Sequence, residues 1–272
     1  MASQLKDKVA IVTGSSAGIG EAIALLLAKR GANVVFCGRD KDRVKSVLEK
    51  AVSVSGRSQD EFLAVTGDVN NPTVRKEIIE RTVIKFGRLD ILVANAGVAS
   101  TTTSFLQDTE ETYNTVLDTN LKSVFFLIQK AVPHLEKTKG NIINISSIVS
   151  FMTIPMATVY SLSKVALDHL TRCLAVDLGP KGIRVNSVNP GYFPTLILRN
   201  FDEIDQINEQ LGKLELAQQP LKGRIGVVED VAKTVAFLAS DEASFITGEH
   251  IKVDGGRTFC GSFEFPKEGL SK

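Results

Sequence analysis

A chain of 272 residues with 43% hydrophobic and 23% charged side chains is long enough for one large domain or two small ones, and its composition excludes a disordered chain, a collagen-like fibre and a small disulfide scaffold. Thirty-two Lys and Arg against 31 Asp and Glu leave a formal charge of +1, which provides no global field for nucleic acid or an anionic membrane, so the expected partner is a small molecule. Cys37, Cys173 and Cys260 are odd in number, far apart and without a CxxC pair, which argues against a disulfide framework or a zinc site and for a reducing compartment.

Taken in chain order, short β-rich runs alternate with longer helical patterns: strand 9–13 and helix 20–30, strand 33–37 and helix 41–52, strand 62–66 and helix 72–86, strand 91–94 and one long helix 110–135. The rhythm continues with strand 141–146, helix 159–178, strand 184–189, helix 228–238 and a last strand 250–253. The run at 9–13 is too short for a signal h-region, and no stretch approaches the ~18 apolar residues of a membrane span, so the cytoplasm is the expected address. Alternation of this kind predicts an α/β fold, a doubly wound parallel sheet of seven strands with helices on both faces. No Pro/Ser-rich linker interrupts it, so 1–272 is expected to be a single domain.

The first strand is followed by Gly14-Ser15-Ser16-Ala17-Gly18-Ile19-Gly20 and then a helix. Glycines let the backbone turn tightly and approach a pyrophosphate, while a helix N-terminus offers unpaired N–H groups and partial positive charge. The spacing is neither GxGxxG nor GxxxxGK[ST], and the bland alternative is a glycine turn with no ligand.

Thr-Gly-x-x-x-Gly-x-Gly from Thr13 to Gly20 resembles the nucleotide loop of the short-chain dehydrogenases/reductases, and four further motifs follow in that family's order. The resemblance implies that Gly14, Ser16, Gly18, Ile19 and Gly20 hold the cofactor, with Asp68-Val69 beside the adenine. It further implies that Asn95-Ala96-Gly97 is the turn after the fourth strand, and that Pro190-Gly191 with Thr195 meets the nicotinamide amide. Ala94 stands where many relatives have a second Asn.

Cofactor choice has a physical argument. An acidic residue at the end of the second strand would accept from a ribose 2′-OH and repel a 2′-phosphate, whereas a basic one would pair with the phosphate. Gly38-Arg39 stands there, with Ser16 as a second donor by resemblance, so NADP(H) is the expected cofactor. Ala17 occupies a position where many NADP-preferring relatives carry Arg or Lys, and the bland alternative for Arg39 is a solvated charge.

Tyr160 and Lys164, four apart in a predicted helix, project from one face, and an ammonium nearby would lower the pKa of a phenol that is otherwise ~10. Tyr-x-x-x-Lys alone is weak evidence; Ser147, thirteen residues upstream at the end of a strand, resembles the family's catalytic serine in its spacing and strengthens it. Ser146 is the rival, and regular strand alternation would let only one of the two face the site. By resemblance Tyr160 is the proton donor in reduction, Ser147 bonds the substrate oxygen, Lys164 also holds the nicotinamide ribose, and Asn120 positions a water linking the lysine to solvent. A buried Asn that satisfies backbone groups is the alternative for Asn120. His134, His169 and His250 fall in different elements at no ligand spacing, so no metal is expected.

The helical spacing 197/201/204/207/211/214 in the least regular stretch predicts an apolar face on a lid at about 192–222, which by resemblance covers the substrate. Packing of that stripe on the core is the plainer reading. Phe151, Met152, Ile154 and Met156 would add apolar wall, and no basic cluster in the lid would hold an anionic substrate. The expected function is therefore an NADP(H)-dependent oxidoreductase moving hydride between nicotinamide and a ketone or secondary alcohol with apolar character. The alternatives are a 3-oxoacyl thioester (acyl-carrier-protein) reductase, because 243–248 and 253–256 resemble that group, and a non-catalytic nucleotide-binding scaffold. A homotetramer is implied by resemblance, with Val124, Phe125, Phe126, Leu167, Leu170 and Leu174 of the two long helices as surplus apolar surface.

Overall fold

The first and fourth strand runs, VAIV and ILVA, are unbroken aliphatic stretches, the pattern that burial on both faces produces. β1 (Val9–Val12), β4 (Ile91–Ala94) and β5 (Asn141–Ile145) are buried at every position. With β2 (Asn33–Gly38), β3 (Phe62–Thr66), β6 (Arg184–Pro190) and β7 (His250–Val253) they form one parallel sheet in the order β3-β2-β1-β4-β5-β6-β7. The computed structural model describes residues 4–99, 104–154, 157–198 and 204–259. Cys260, Met156 and Phe201 lie outside them.

Side chains alternate across each strand, so the sheet feeds two cores. Ala10, Val12, Val34 and Phe36 point to the face covered by α1 (Gly18–Lys29), α2 (Lys41–Ser55) and α8 (Val228–Ala239). Ile11, Val35, Leu92 and Ile142 point to the opposite face, under α3 (Pro72–Phe86), α5 (Ser123–Thr138) and α6 (Thr158–Leu178). Each fully buried Ile, Leu or Phe contributes about 1.5–3 kcal/mol of transfer free energy. Local signals end the helices where the sequence places them: Asp40 and Asn71 cap α2 and α3, and Gly56 and Gly87 close them in the left-handed region.

One expected element is broken. The helix expected at 110–135 is α4 (Glu110–Leu117), a π-helical turn at Asp118–Lys122, and then α5. An inserted residue keeps the backbone continuous and turns Asn120 inward, where its side chain is fully buried and bonds the Val98 backbone. The remaining boundaries differ by a few residues, as α1 starting at Gly18 shows. Val124 and Leu167, expected as surplus surface, are buried in the core of the single chain, and Leu170 and Leu174 pack against that core. Only Phe125 and Phe126 of that set are exposed. Among the described residues no helix is long and apolar enough to cross a membrane.

Candidate active site

The strand order reverses between β1 and β4, and in such sheets the crevice lies beyond the carboxyl ends there. A cavity of about 830 Å³ opens at that place, within the range of small-molecule sites. Gly14, Ser16, Gly18 and Ile19 line it after β1, Arg39 after β2, and Asp68 and Val69 after β3. Asn95, Ala96 and Gly97 follow β4, Ser147 follows β5, Tyr160 and Lys164 come from α6, and Pro190, Gly191 and Thr195 surround the end of β6. Of the site residues read from the sequence, only Gly20 and Asn120 stand behind the wall rather than in it.

The first loop is built by its neighbours. The Thr13 hydroxyl accepts from the backbone N–H groups of Asn95 and Ala96, both at 3.0 Å, and Asn95 Nδ2 donates to the carbonyls of Thr13 (2.9 Å) and Gly14 (3.2 Å). Gly14 sits at φ +64°, and a Cβ there would lie 2.9 Å from Ala96 Cα. A Cβ on Gly20 would overlap the Gly14 carbonyl and Asn95 Nδ2, so Gly20 serves to pack the first turn of α1 beneath the loop. That turn has Ala17 as N-cap and no side-chain acceptor, leaving its N–H groups and the helix dipole directed at the cavity. These features fit a pyrophosphate.

The reacting end is more deeply enclosed. The ladder of β5 ends at Ile145, so Ser146 and Ser147 lie beyond regular strand geometry and both reach the wall, contrary to the alternation expected from sequence. Their hydroxyls differ: Ser146 Oγ donates to the Lys164 carbonyl at 3.3 Å, while Ser147 Oγ accepts from the Val149 N–H at 3.4 Å and stands near enough to the Tyr160 phenol to lower its pKa. Lys164 is buried and donates from Nζ to the Ile145 carbonyl at 2.8 Å. Burial lowers its pKa to about 8 against the raising effect of Asp168. The phenol of Tyr160 moves opposite to expectation: burial pushes it up to about 12, with Ser147 pulling the other way. The ammonium lies 5.5 Å from the centre of the Tyr160 ring, over its face, with a hydrogen bond committed to backbone. Tyr160 is thus held as a neutral phenol, the form that donates a proton.

Asn120 donates from Nδ2 to the Val98 carbonyl (2.9 Å) and Ser163 Oγ (3.0 Å) and accepts from the Val98 N–H (2.9 Å). Its geometry is that of a buried amide that ties the β4 turn to α6. A Cβ on Gly97 would lie 3.3 Å from Asn120 Oδ1 and 3.8 Å from Lys164 Nζ, which puts both groups beside that turn.

Comparison with known proteins is decisive at the family level. The family model described as "Enoyl-(Acyl carrier protein) reductase" matches residues 14–258. The 3-oxoacyl-[acyl-carrier-protein] reductase FabG of Thermotoga maritima is 36% identical over 254 residues, covering 93% of this chain and 98% of that protein. A short-chain dehydrogenase/reductase of unknown function from Caenorhabditis elegans, solved with cofactor, superimposes with a TM-score of 0.89 at 34% identity, covering 95% of this chain and 98% of the other. The 3-ketoacyl-(acyl-carrier-protein) reductase of Brucella melitensis, complexed with NADH, gives 0.82 at 30% identity, covering 93% and 99%. The chain belongs to the short-chain dehydrogenases/reductases. It is an oxidoreductase of that family.

For a member of this family, several residues at the site escaped the sequence reading. Arg43, in the first turn of α2, also lines the cavity, and its Nε pairs with Asp40 at 3.0 Å. Its place in the first turn of the helix that follows Arg39 was the available signal. The lid contains the turn Leu196–Leu198 and α7 (Ile204–Gln218). Ile207, Leu211 and Leu214 line the cavity from α7, joined by Met152 and Ile154, whereas Phe151 stacks edge-on against His250 instead. Glu215 and Arg257 also line the cavity and face each other at 3.6 Å, so the apolar wall has a polar end. Burial pushes the Glu215 carboxyl above its usual range, with Arg257 acting in the opposite sense. Nothing in the sequence links positions 215 and 257. Among the described residues no three His, Cys, Asp or Glu side chains are grouped to hold a metal.

Proposed function

We propose that this chain is an NADP(H)-dependent carbonyl reductase or alcohol dehydrogenase acting on a ketone/secondary alcohol pair of largely apolar character, and that it works as a homotetramer. The observation that carries the reading is that the Ser147 and Tyr160 hydroxyl groups line the same cavity as the uncapped N-terminus of α1 and Arg39. Bound in that cavity, a nicotinamide dinucleotide supplies hydride in reduction and accepts it in oxidation. The first loop and the α1 N-terminus hold its pyrophosphate, Arg39 and Ser16 its 2′-phosphate, Asp68 and Val69 flank its adenine, and Pro190, Gly191 and Thr195 meet its amide. Asn95, Ala96 and Gly97 shape the turn against which it lies, and Lys164 binds the nicotinamide ribose.

Ser147 and Tyr160 converge their hydroxyls on a substrate oxygen. Ser147 donates to that oxygen as negative charge grows on it, an effect of about 10²–10³ in rate for one such donor. Tyr160, a neutral phenol up to a pKa of about 12, delivers the proton that completes the alcohol, and in the reverse direction takes it back. Two hydroxyls aimed at one oxygen suit a carbonyl better than a carbon–carbon double bond. Asn120 holds the β4 turn in register with α6 and positions a water behind Lys164. The lid's Ile207, Leu211 and Leu214 supply apolar contact and exclude water.

A 3-oxoacyl thioester reductase is the second reading, supported by the likeness to the Thermotoga and Brucella proteins. The test is NADPH oxidation at 340 nm against a panel of α-diketones, steroid ketones and 3-oxoacyl thioesters, repeated with NADH. Turnover confined to thioesters selects the second reading. Nucleotide binding without turnover on any class would refute both and leave a nucleotide-binding scaffold.

A further inference from the structure

A polar chain, exposed at Arg172 and buried at Ser187, Asn189 and Asp168, runs from the far side of α6 to the Ser147 turn. Asp168, one turn beyond Lys164 on the same face of α6, is buried, and its Oδ2 accepts from Asn189 Nδ2 at 2.8 Å. The same amide nitrogen lies 3.1 Å from the Ser147 carbonyl and 3.0 Å from Ser150 Oγ, which itself donates to that carbonyl. Asn189 immediately precedes Pro190, so one amide joins the serine turn, the end of β6 and the carboxylate beneath the lysine. On its other side Asn189 Oδ1 accepts from Ser187 Oγ at 2.8 Å.

Donor arithmetic fixes the next link. A guanidinium donates only, so Arg172 Nη1, 2.9 Å from His250 Nε2, requires that nitrogen to be an unprotonated acceptor. His250 is then neutral with its proton on Nδ1, and that N–H donates to Ser187 Oγ at 2.7 Å, whose own proton is committed to Asn189. Burial holds the His250 pKa below its usual value, in the same direction. The chain Arg172–His250–Ser187–Asn189–Asp168 is therefore directional. Asp168 Oδ1 lies 3.7 Å from His250 Nδ1 and has no hydrogen-bond partner, so no cation neutralises this carboxylate from β7. The charged groups around the chain are Lys164 and Arg172 from α6, and Glu249, which precedes the neutral His250 at β7.

We propose that Asp168 is a positioning residue for the reaction: through Asn189 it fixes the Ser147 turn against the end of β6, and its uncompensated carboxylate, one helical turn below Lys164, keeps that side chain an ammonium. Burying a lysine favours its neutral form, and an anion within a helical turn opposes this. Lys164, pulled by burial to about 8, is held there with Asp168 as the opposing charge. The assignment rests on the reading of Tyr160 and Lys164 as the reacting pair.

Asp168→Asn keeps the shape and the acceptor for Asn189 while removing the charge. Two readouts follow Lys164. Competitive acetylation with acetic anhydride across pH, quantified on the Lys164 peptide by mass spectrometry, needs no turnover. The pH profile of kcat for NADPH-dependent reduction of 2,3-butanedione or an acetoacetyl thioester uses the reaction. In a protein that keeps its Tm within a few degrees, both midpoints are expected to fall together by about one pH unit or more, and Asp168→Glu to restore most of the shift. Unchanged midpoints in Asp168→Asn overturn the proposal, as does a loss of kcat that is uniform across pH. Asp168→Ser, which leaves room for a water, makes the same measurement if the Asn variant does not fold. Failure of both to fold makes the carboxylate a folding determinant and also overturns it. Wild-type protein that binds NADPH but reduces neither compound would refute the oxidoreductase reading, and the acetylation midpoints would still decide the role of Asp168.

Discussion

Cofactor preference is the property for which one contact pair gives the sharpest test. At the end of β2 an ideal Cβ on Gly38 would lie 2.8 Å from Val44 Cγ2 and 2.9 Å from both Cβ and Oγ of Ser16. Real Cβ contacts are longer, so a side chain at 38 must displace Ser16 or turn the Val44 rotamer, an overpacking cost of about 1–3 kcal/mol. Ser16 belongs to the loop that cradles the nucleotide. Gly38→Asp alone is therefore expected to lose Tm and weaken NADPH without a clean gain for NADH, whereas Gly38→Asp with Ser16→Gly removes two of the three contacts and should bring NADH to equal or better affinity. Arg39 is exposed at the cavity edge, so Arg39→Ala removes a charged donor without unpacking anything. A hydrogen bond to a charged group is worth about 1.5–3 kcal/mol, or roughly 10–150-fold in Kd for NADPH, with NADH unchanged. Arg43 stands beside it, so Arg39→Ala/Arg43→Ala should lose more than the single variant. The chain has no Trp, so titrations should follow the nucleotide's own fluorescence, backed by calorimetry. Equal losses of NADPH and NADH in Arg39→Ala, or a full switch by Gly38→Asp alone with unchanged Tm, would refute the reasoning.

Tyr160→Phe should retain NADPH binding and lose about 10²–10⁴-fold in kcat, while Lys164→Met should lose both turnover and nucleotide affinity; near-normal rates in either, by stopped assay, contradict the assigned roles. Because Tyr160 stays protonated to a pKa of about 12 and Lys164 loses its charge near 8, the reductive kcat should fall as pH rises through about 8, and a profile flat to pH 10 would separate Lys164 from the reaction. Leu211→Ala and Leu214→Ala should change kcat/KM differently for large and small ketones, by about 1–3 kcal/mol for each lost contact, and an unchanged ratio accompanied by a lower Tm would make the stripe packing alone. Light scattering at micromolar concentration should give four times 29.4 kDa, with exposed Phe125 and Phe126 in the interface; a mass of 29.4 kDa rules the tetramer out.

The seven strands and most helices were legible in the sequence because their signals are local: short β-rich runs, amphipathic periodicity, and caps at Asp40, Asn71, Gly56 and Gly87. The same holds for the site residues carried by motifs of fixed spacing. Tyr160 and Lys164 share a face because a helix repeats every 3.6 residues, and the glycine loop precedes a helix N-terminus because chain order demands it. Other properties arise only when distant segments meet. The π turn at Asp118–Lys122 carries Asn120 to the Val98 backbone, 22 positions away, and the upward shift of the Tyr160 phenol exists because burial outweighs the lowering effect of Ser147. Whether Val124 packs in the core and Phe126 on the surface depends on which neighbour each meets. Crowding of Gly38 by Ser16, the Glu215–Arg257 pair and the chain from Asp168 to Arg172 join residues up to 82 positions apart. No periodicity encodes such contacts, since burial and hydrogen-bond geometry are set by the packing of α6, β6 and β7 as a unit.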